Sequence, residues 1–589
     1  MRDAMRQRGP DGRGEWISRD GRVGLGHRRL AIIDLHERAA QPMHSADARL
    51  HVTFNGEIYN YRALRAELEH KGYTFQTNSD TEVLLHLYRD RGLGMLDALR
   101  GMYAFALWDD QSRSLVLARD PLGIKPLYYA NEDGCVRFAS QVKALLAGGR
   151  ISRTRSNAAA VGFYLWGSVP EPHTHYAAIH ALPAGAALVI DETGALTSHT
   201  HFSVAATWAA ACAERPAECA PEDVEARVGA ALRDSVASHL VADVPVSTFL
   251  SAGIDSGALA GLMSEQAAQQ LHAITLGFAE FSGAAHDETP LAAAVARHYG
   301  LAHHVRTVDR SELIQDWPAI VSAMDQPTID GLNTWFVSKA TAELGLKVAV
   351  SGLGGDELFG GYPSFRAVPR MMRVAALPGR IPGLGRGLRR LLIPWLERVP
   401  RVHPKLAGAL EYGHTTAGAY FVKRALFMPW ELPELLPVDV VRDGLAQLAP
   451  QLTLERLLDP TPRSTWAQVA VLESTQYMRN QLLRDTDWAS MAHSLEVRVP
   501  LVDHVLLSKL APSLIHAPGL HGKRWLANSP ERALPAAVRN RPKTGFATPI
   551  AQWLQAVPEL DGWRAVKRLR DPHTPWARRY ACGLYRLVS

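Results

Sequence analysis

Over the first two hundred residues, short apolar runs alternate with polar turns at close spacing. Residues 21–27, 50–54, 103–108, 114–118 and 136–139 read as strands, punctuated by Asn-Gly and Asp-Pro dipeptides. Helical periodicity predicts amphipathic helices over 61–69 and 81–91, and the last strands of this region fall at 187–191 and 196–202. Strands in close succession with few helices predict an antiparallel sheet. Residues 205–221, rich in Ala, Glu and Pro, are expected to form a linker. Beyond it the pattern changes. A long amphipathic helix at 222–239 precedes strands at 246–250, 272–277 and 347–351, with a helix at 256–269 between the first two. Strands alternating with helices predict a doubly wound parallel α/β domain.

Composition narrows this picture only slightly. The chain has 589 residues, 47% of them hydrophobic and 21% charged, and a formal net charge of +5. That length is too great for one core. The diffuse charge, without interleaved aromatic and basic residues, argues against nucleic acid as a partner. Cys135, Cys212, Cys219 and Cys582 are too scattered for a disulfide framework, and no zinc-like spacing surrounds them. No apolar run has the length of a signal core or a membrane span, so a soluble, cytoplasmic protein is expected.

Chemistry first enters at Phe249-Leu250-Ser251-Ala252-Gly253-Ile254-Asp255-Ser256. A strand ends in small residues and a helix follows at once, which places backbone N–H groups where phosphate charge is stabilised. Small residues let a pyrophosphate approach the main chain. The Walker spacing is absent, and an ordinary βα turn would read similarly. A second strand end carries Val350-Ser351-Gly352-Leu353-Gly354-Gly355-Asp356-Glu357-Leu358-Phe359-Gly360-Gly361-Tyr362. Asp255 and Asp356 therefore sit at the ends of two expected neighbouring strands, where open α/β sheets bind ligands. Two carboxylates plus phosphate oxygens supply the hard ligands that Mg²⁺ requires.

The first loop resembles that of the N-type ATP pyrophosphatases, with Ala252 where Gly is usual. Residues 8–12 (RGPDG), 26–30 (GHRRL), 54–60 (FNGEIYN), 79–82 (SDTE) and 118–128 (ARDPLGIKPLY) resemble the glutaminase domain of class II amidotransferases. Residues 489–503 (ASMAHSLEVRVPLVD) resemble the synthetase domain of asparagine synthetase. The resemblance to the glutamine-dependent asparagine synthetase family runs from Arg8 to about Trp553. It implies an Ntn-type αββα glutaminase-like domain over 1–204, lacking its first strand and cysteine. It further implies a linker over 205–221 and an α/β ATP-pyrophosphatase domain over 222–589.

Residue by residue, the resemblance implies that Arg29 holds the carboxylate of glutamine and Asp80 its ammonium. Asn55 and Gly56 would supply oxyanion donors, and Glu57 would fix the substrate. Asp255 and Asp356 would carry Mg²⁺. Leu250, Leu276, Ser351 and Gly352 would line the ATP pocket, with Ser251, Gly253 and Ser256 around the pyrophosphate. Lys543 would neutralise phosphate charge in the transition state, and Glu496 and Arg498 would form a structural ion pair. Glutamine or ammonia, ATP and a carboxylate are the implied small-molecule partners, with a homodimer left open.

Two departures stand out. The family's nucleophile is an N-terminal cysteine, yet the first seventeen positions hold no Cys, Ser or Thr. The retained Arg29, Asn55, Gly56, Glu57 and Asp80 favour a start upstream of Met1 over use of free ammonia. Leu353 stands where asparagine synthetases usually carry Glu, which removes a charge beside the adenylate. Three readings follow: asparagine synthesis from aspartate, amidation of a uronic acid in exopolysaccharide, and a non-catalytic interaction protein on the same scaffold. Between Ser364 and Lys405, nine arginines and one lysine face the single acid Glu397. A solvated insertion is the expected reading, and a dock for an acidic glycan precursor or an anionic membrane surface is the sharper one.

Overall fold

The structure, a computed structural model, describes residues 1–588 other than 215–220, 268, 285, 377–380, 382, 397–403, 518–522 and 542–548. Its N-terminal half is built on a six-stranded antiparallel meander. The strands are β1 (Met43–His44), β2 (Leu50–Ile58), β3 (Gly101–Asp109), β4 (Ser114–Arg119), β5 (Ala186–Ile190) and β6 (Leu196–Thr200), each paired with its chain neighbour. Alternation along the strands sends side chains to both faces. Val52, Phe54, Phe105 and Val116 meet helices α1 (Tyr61–His70) and α2 (Asp80–Arg91) on one side. Ala106, Trp108, Leu115 and Leu117 meet Leu25, Leu127 and Phe138 on the other. Leu25 comes from the hairpin Gly12–Ile17/Gly24–Arg29, Phe138 from a small sheet of Tyr128–Glu132, Cys135–Ala139 and His180–Ala181, and Leu127 from the residue just before that sheet.

The stretch expected to be a linker opens instead as helix α3 (Val204–Ala213). Ser203 caps it by accepting from Ala206 N–H at 3.2 Å, and Trp208 is buried. Its alanines are thus helix formers, not spacers. Residues 215–220, with Cys219, lie outside the described residues.

Helix α4 (Pro221–His239) leads into a five-stranded, wholly parallel sheet: β7 (Val246–Phe249), β8 (His272–Phe278), β9 (Ala302–Val308), β10 (Val348–Val350) and β11 (Glu496–Arg498). The spatial order is β9-β8-β7-β10-β11. The chain therefore winds outward from β7 in one direction and then reverses, which makes β7 and β10 the topological switch point. β10 is wholly apolar and buried, as a parallel strand covered on two faces is, while β7 buries Ser247 and Thr248, whose hydroxyls bond to Val348 O at 2.8 Å and Val350 O at 3.3 Å. Helix α5 (Ile254–Ser264) follows β7 directly. It ends five residues before the 256–269 pattern does. Among the described residues no helix is long and apolar enough to cross a membrane.

Candidate active site

The switch point brings the two acidic loops together. After β7, Ser251 and Ser256 tie the turn: their hydroxyls lie 3.0 Å apart, and Ser251 N–H donates to Ser256 Oγ at 3.2 Å. Gly253 N–H donates to Ser251 Oγ at 3.1 Å. Asp255 thereby enters the first turn of α5. After β10, Asp356 stands at the start of the short helix α6 (Gly355–Leu358). Close approach of the loops depends on missing side chains. A Cβ on Gly355 would lie 2.6 Å from Asp255 Cγ, one on Gly352 would lie 2.8 Å from Ser256 N, and one on Gly361 would overlap an Asp356 oxygen.

The two carboxylates converge on one cation, Lys523. Its ammonium pairs with Asp255 Oδ2 and, at 2.6 Å, with Asp356 Oδ1. Burial alone would lower the lysine pKa, but the two carboxylates outweigh it and raise the value. A pair of hard oxygen donors focused on one positive charge fits a divalent cation bound to phosphates. Leu250 and Leu276 are buried beside the loop, and Leu250 N–H donates to Ile274 O at 2.9 Å. Ser351 and Gly352 form the neighbouring wall, with Ser351 N–H bonded to Arg498 O at 2.9 Å. Glu357 is buried next to Asp356, accepts from Tyr362 Oη–H at 2.9 Å, and has its pKa pushed up to about 8 by burial. Lys543, the expected phosphate neutraliser, lies outside the described residues. Nothing in sequence spacing marks Lys523, which is remote from both loops in the chain.

In the N-terminal half, Arg29, Asn55, Gly56, Glu57 and Asp80 line one cavity of about 130 Å³. The Arg29 guanidinium is held by main-chain carbonyls of His36 (2.9 Å), Ile33 (3.2 Å) and Asp34. Burial lowers its pKa, and no side-chain carboxylate bonds it among the described residues. Such an arrangement leaves charge for a carboxylate ligand. Ser79 caps α2 through Thr81 N–H, which fixes Asp80 as the helix's first residue. Asp80 accepts from Ile58 N–H at 2.9 Å, yet burial raises its pKa to about 6. Gly56 has φ +143, and a Cβ there would strike Met102 O. The Asn55 amide lies 3.4 Å from Ser140 Oγ.

Glu57 also reaches out of its domain. It lies 3.5 Å from Arg498, which pairs with Glu496 at 3.0 Å, and Glu496 lies 3.4 Å from Lys125. The expected Glu496–Arg498 pair is therefore the middle of a buried chain of charges between the halves. Residues 8–12 contribute a second join: Arg8 grips both oxygens of Asp487 at 2.6 and 2.9 Å, and Asp11 pairs with Lys347 at 2.8 Å.

An amidotransferase domain followed by a nucleotide-binding parallel sheet defines an ATP-dependent carbon–nitrogen ligase. Residues 1–202 match the family model of a glutamine amidotransferase domain, and residues 227–575 match that of asparagine synthase. Asparagine synthetase [glutamine-hydrolyzing] 1 of Bacillus subtilis (strain 168) is 33% identical over 575 residues, 96% of this chain and 85% of that protein. Asparagine synthetase [glutamine-hydrolyzing] 3 of the same organism is 30% identical over 86% of this chain and 76% of its own length. A protein named Amidase chry2, of Gibberella zeae, is 32% identical over 62% of this chain and 55% of its own length. The chain belongs to the glutamine-hydrolysing asparagine synthetase family.

Proposed function

We propose that the chain converts aspartate, ATP and ammonia, free or released from glutamine, into asparagine, AMP and pyrophosphate. The observation that carries this reading is the convergence of Asp255 and Asp356 on one cation at the sheet's switch point. In the first half-reaction a carboxylate oxygen attacks the α-phosphorus. The bond to the β-phosphate breaks and pyrophosphate leaves, stabilised by Ser251, Gly253, Ser256 and the start of α5. Leu250, Leu276, Ser351 and Gly352 border the nucleotide. In the second, ammonia attacks the acyl carbon, the C–O bond to AMP breaks, and a proton is lost from nitrogen. Splitting the reaction exchanges a poor oxide leaving group for a good one.

Asp255 and Asp356 would hold Mg²⁺, which supplies charge neutralisation for the phosphates when bound. Lys523 and Lys543 add positive charge there. In the N-terminal domain, Arg29 would take the glutamine carboxylate, Asp80 the ammonium, and Asn55 and Gly56 the side-chain carbonyl oxygen, with Glu57 fixing the pose. Domain limits of 1–204 and 222–589, a cytoplasmic setting and a homodimer belong to the same reading.

A second reading has one observation of its own. Leu353 is half-buried against the core and brings no charge to the adenylate site, which favours an acceptor other than a small charged amino acid, such as a uronic acid. Pyrophosphate release with aspartate, and separately with glucuronate, decides between them: release with aspartate supports asparagine synthesis, and release with glucuronate alone overturns it. Asp356→Asn should reduce release by at least about a hundredfold with an unchanged unfolding curve, and a fully active variant would refute the site.

A further inference from the structure

Two helices of the Arg-rich segment form a surface that the ligase reaction does not use. Helix α7 spans Ser364–Ala375 and α8 spans Leu384–Leu396. Helix α8 buries Arg389, half-buries Leu388, Leu392 and Ile393, and leaves a second apolar row in solvent beside Arg386 and Arg390. Leu384, Leu391 and Trp395 recur at helical spacing along about 16 Å of one face. All three are exposed, Leu391 at 76% and Trp395 at 60%. The inward side carries Arg389, which is buried, lies over the Trp430 ring at 4.2 Å and donates to Glu411 at 2.5 Å. Gly385 lets the helix press directly on the backbone of Leu410 and Glu411, with no room for a Cβ. The helix is thus seated through Gly385 and Arg389, and it carries an apolar row in solvent beyond the stripe that an ordinary surface helix turns to the core.

Exposed apolar side chains concentrate here. Among the described residues sixteen large hydrophobics are exposed, and five of them, Val374, Ile381, Leu384, Leu391 and Trp395, fall within this segment, with Leu406 just after it. Arg386 and Arg390 of α8 and Arg366, Arg370 and Arg373 of α7 are exposed as well, both helices pack on residues 409–412, and no Asp or Glu occurs from residue 364 to 396.

We propose that this face docks on an anionic lipid bilayer, with α8 lying in the plane of the headgroups. Three alternatives fit the surface less well. A second copy related by a two-fold axis would set the same arginines against each other. A small acidic ligand would meet the arginines and leave Leu391 and Trp395 in water. A plain solvated face would not set Leu384, Leu391 and Trp395 in one exposed row along a helix. A bilayer takes both features: aliphatic and indole side chains enter the interface while arginines reach phosphate groups. With no spanning helix among the described residues, attachment is peripheral and reversible.

Flotation of the full chain with vesicles tests the proposal. The protein should float with phosphatidylcholine vesicles containing about one-third phosphatidylglycerol and stay behind with phosphatidylcholine alone. Leu391→Ser with Trp395→Ser should lower the bound fraction at least about tenfold, as should Arg370→Glu with Arg390→Glu. All four side chains face solvent, so unfolding curves of these variants should match the parent. Absence of flotation with anionic vesicles overturns the proposal. So does flotation undiminished by both pairs of substitutions. Concentration-dependent dimerisation that Trp395→Ser abolishes, with no vesicle binding, identifies a second copy as the occupant and overturns it as well.

Discussion

Lys523 is the residue whose role most depends on three dimensions. Two carboxylates from different loops meet its ammonium, and each carboxylate gains from a cation in that place. Lys523→Met removes one positive charge from between them, so Mg²⁺ no longer competes with an ammonium for the same oxygens. Melting curves should show a larger stabilisation by Mg²⁺ in the variant than in the parent, and equal shifts would refute a shared site. Asp80 makes the opposite point. Burial pushes its folded pKa up to about 6, above the ordinary carboxylate value of 3.8, so the native state holds its proton more tightly than the unfolded chain. The associated stability is complete below about pH 4 and is lost as pH rises to about 6. Asp80→Asn should therefore leave the melting temperature at pH 7 unchanged or higher while abolishing glutamine binding by calorimetry. A variant that melts lower and still binds would overturn the assignment. Asp80 was legible in the sequence through Ser79-Asp80-Thr81-Glu82, a string that resembles class II amidotransferases. Lys523 was not, because a lone lysine far along the chain carries no local mark of the loops it meets.

Elements show the same division between local and distant information. Alternating apolar runs at 50–54, 103–108 and 114–118 became β2, β3 and β4, with edges extended by a few residues. The βα pattern around β7 and β10 was equally readable, since β-branched and apolar residues lead in each case into a turn of small residues and a helix. Alanine-rich 204–213 was misread because composition alone does not separate a spacer from a helix, and the burial of Trp208 decides it. The exposed Leu384, Leu391 and Trp395 of α8 were legible only as short apolar runs within an excess of arginine. What no strand pattern conveys is how closely the loops after β7 and β10 approach. Gly355 measures that distance, because an added Cβ would sit 2.6 Å from Asp255 Cγ. Gly355→Ala should separate the carboxylates and lower pyrophosphate release by about a hundredfold, since small displacements at a charged site are costly. Stability should fall by only about 1–3 kcal/mol, the usual cost of local overpacking. Release at the parental rate, measured under saturating ATP, would show that the loops have room to spare.

At the scale of the whole molecule, the two domains share charges across their boundary, and Arg498 is where the sharing is densest. Its side chain is fully buried, lies 3.5 Å from Glu57 and 3.0 Å from Glu496, and donates to the carbonyls of His239 at 2.9 Å and Val241 at 2.6 Å. Burial alone would lower the arginine pKa, but the carboxylates, Glu57 foremost, raise it; the Glu57 pKa is raised, first by burial and then by Asp80 and Glu496. Arg498→Met would strand both acids and two carbonyls, a loss of about 3–5 kcal/mol when one member of a buried pair is removed. The functional consequence follows from where Arg498 stands. Through Glu57 it forms part of the wall of the cavity that holds Arg29 and Asp80, and its own carbonyl receives Ser351 N–H at the head of the nucleotide loop. A shift of β11 therefore displaces both pockets together. Glutamine affinity by calorimetry and ammonia-dependent pyrophosphate release should fall in parallel in Arg498→Met, and Arg498→Lys should restore part of both by returning the charge without the guanidinium fork. If one activity falls while the other holds, the charge chain serves a single domain, and any link between the Arg29–Asp80 cavity and the Asp255–Asp356 loops must run elsewhere, with the Arg8–Asp487 clamp as the next contact to cut.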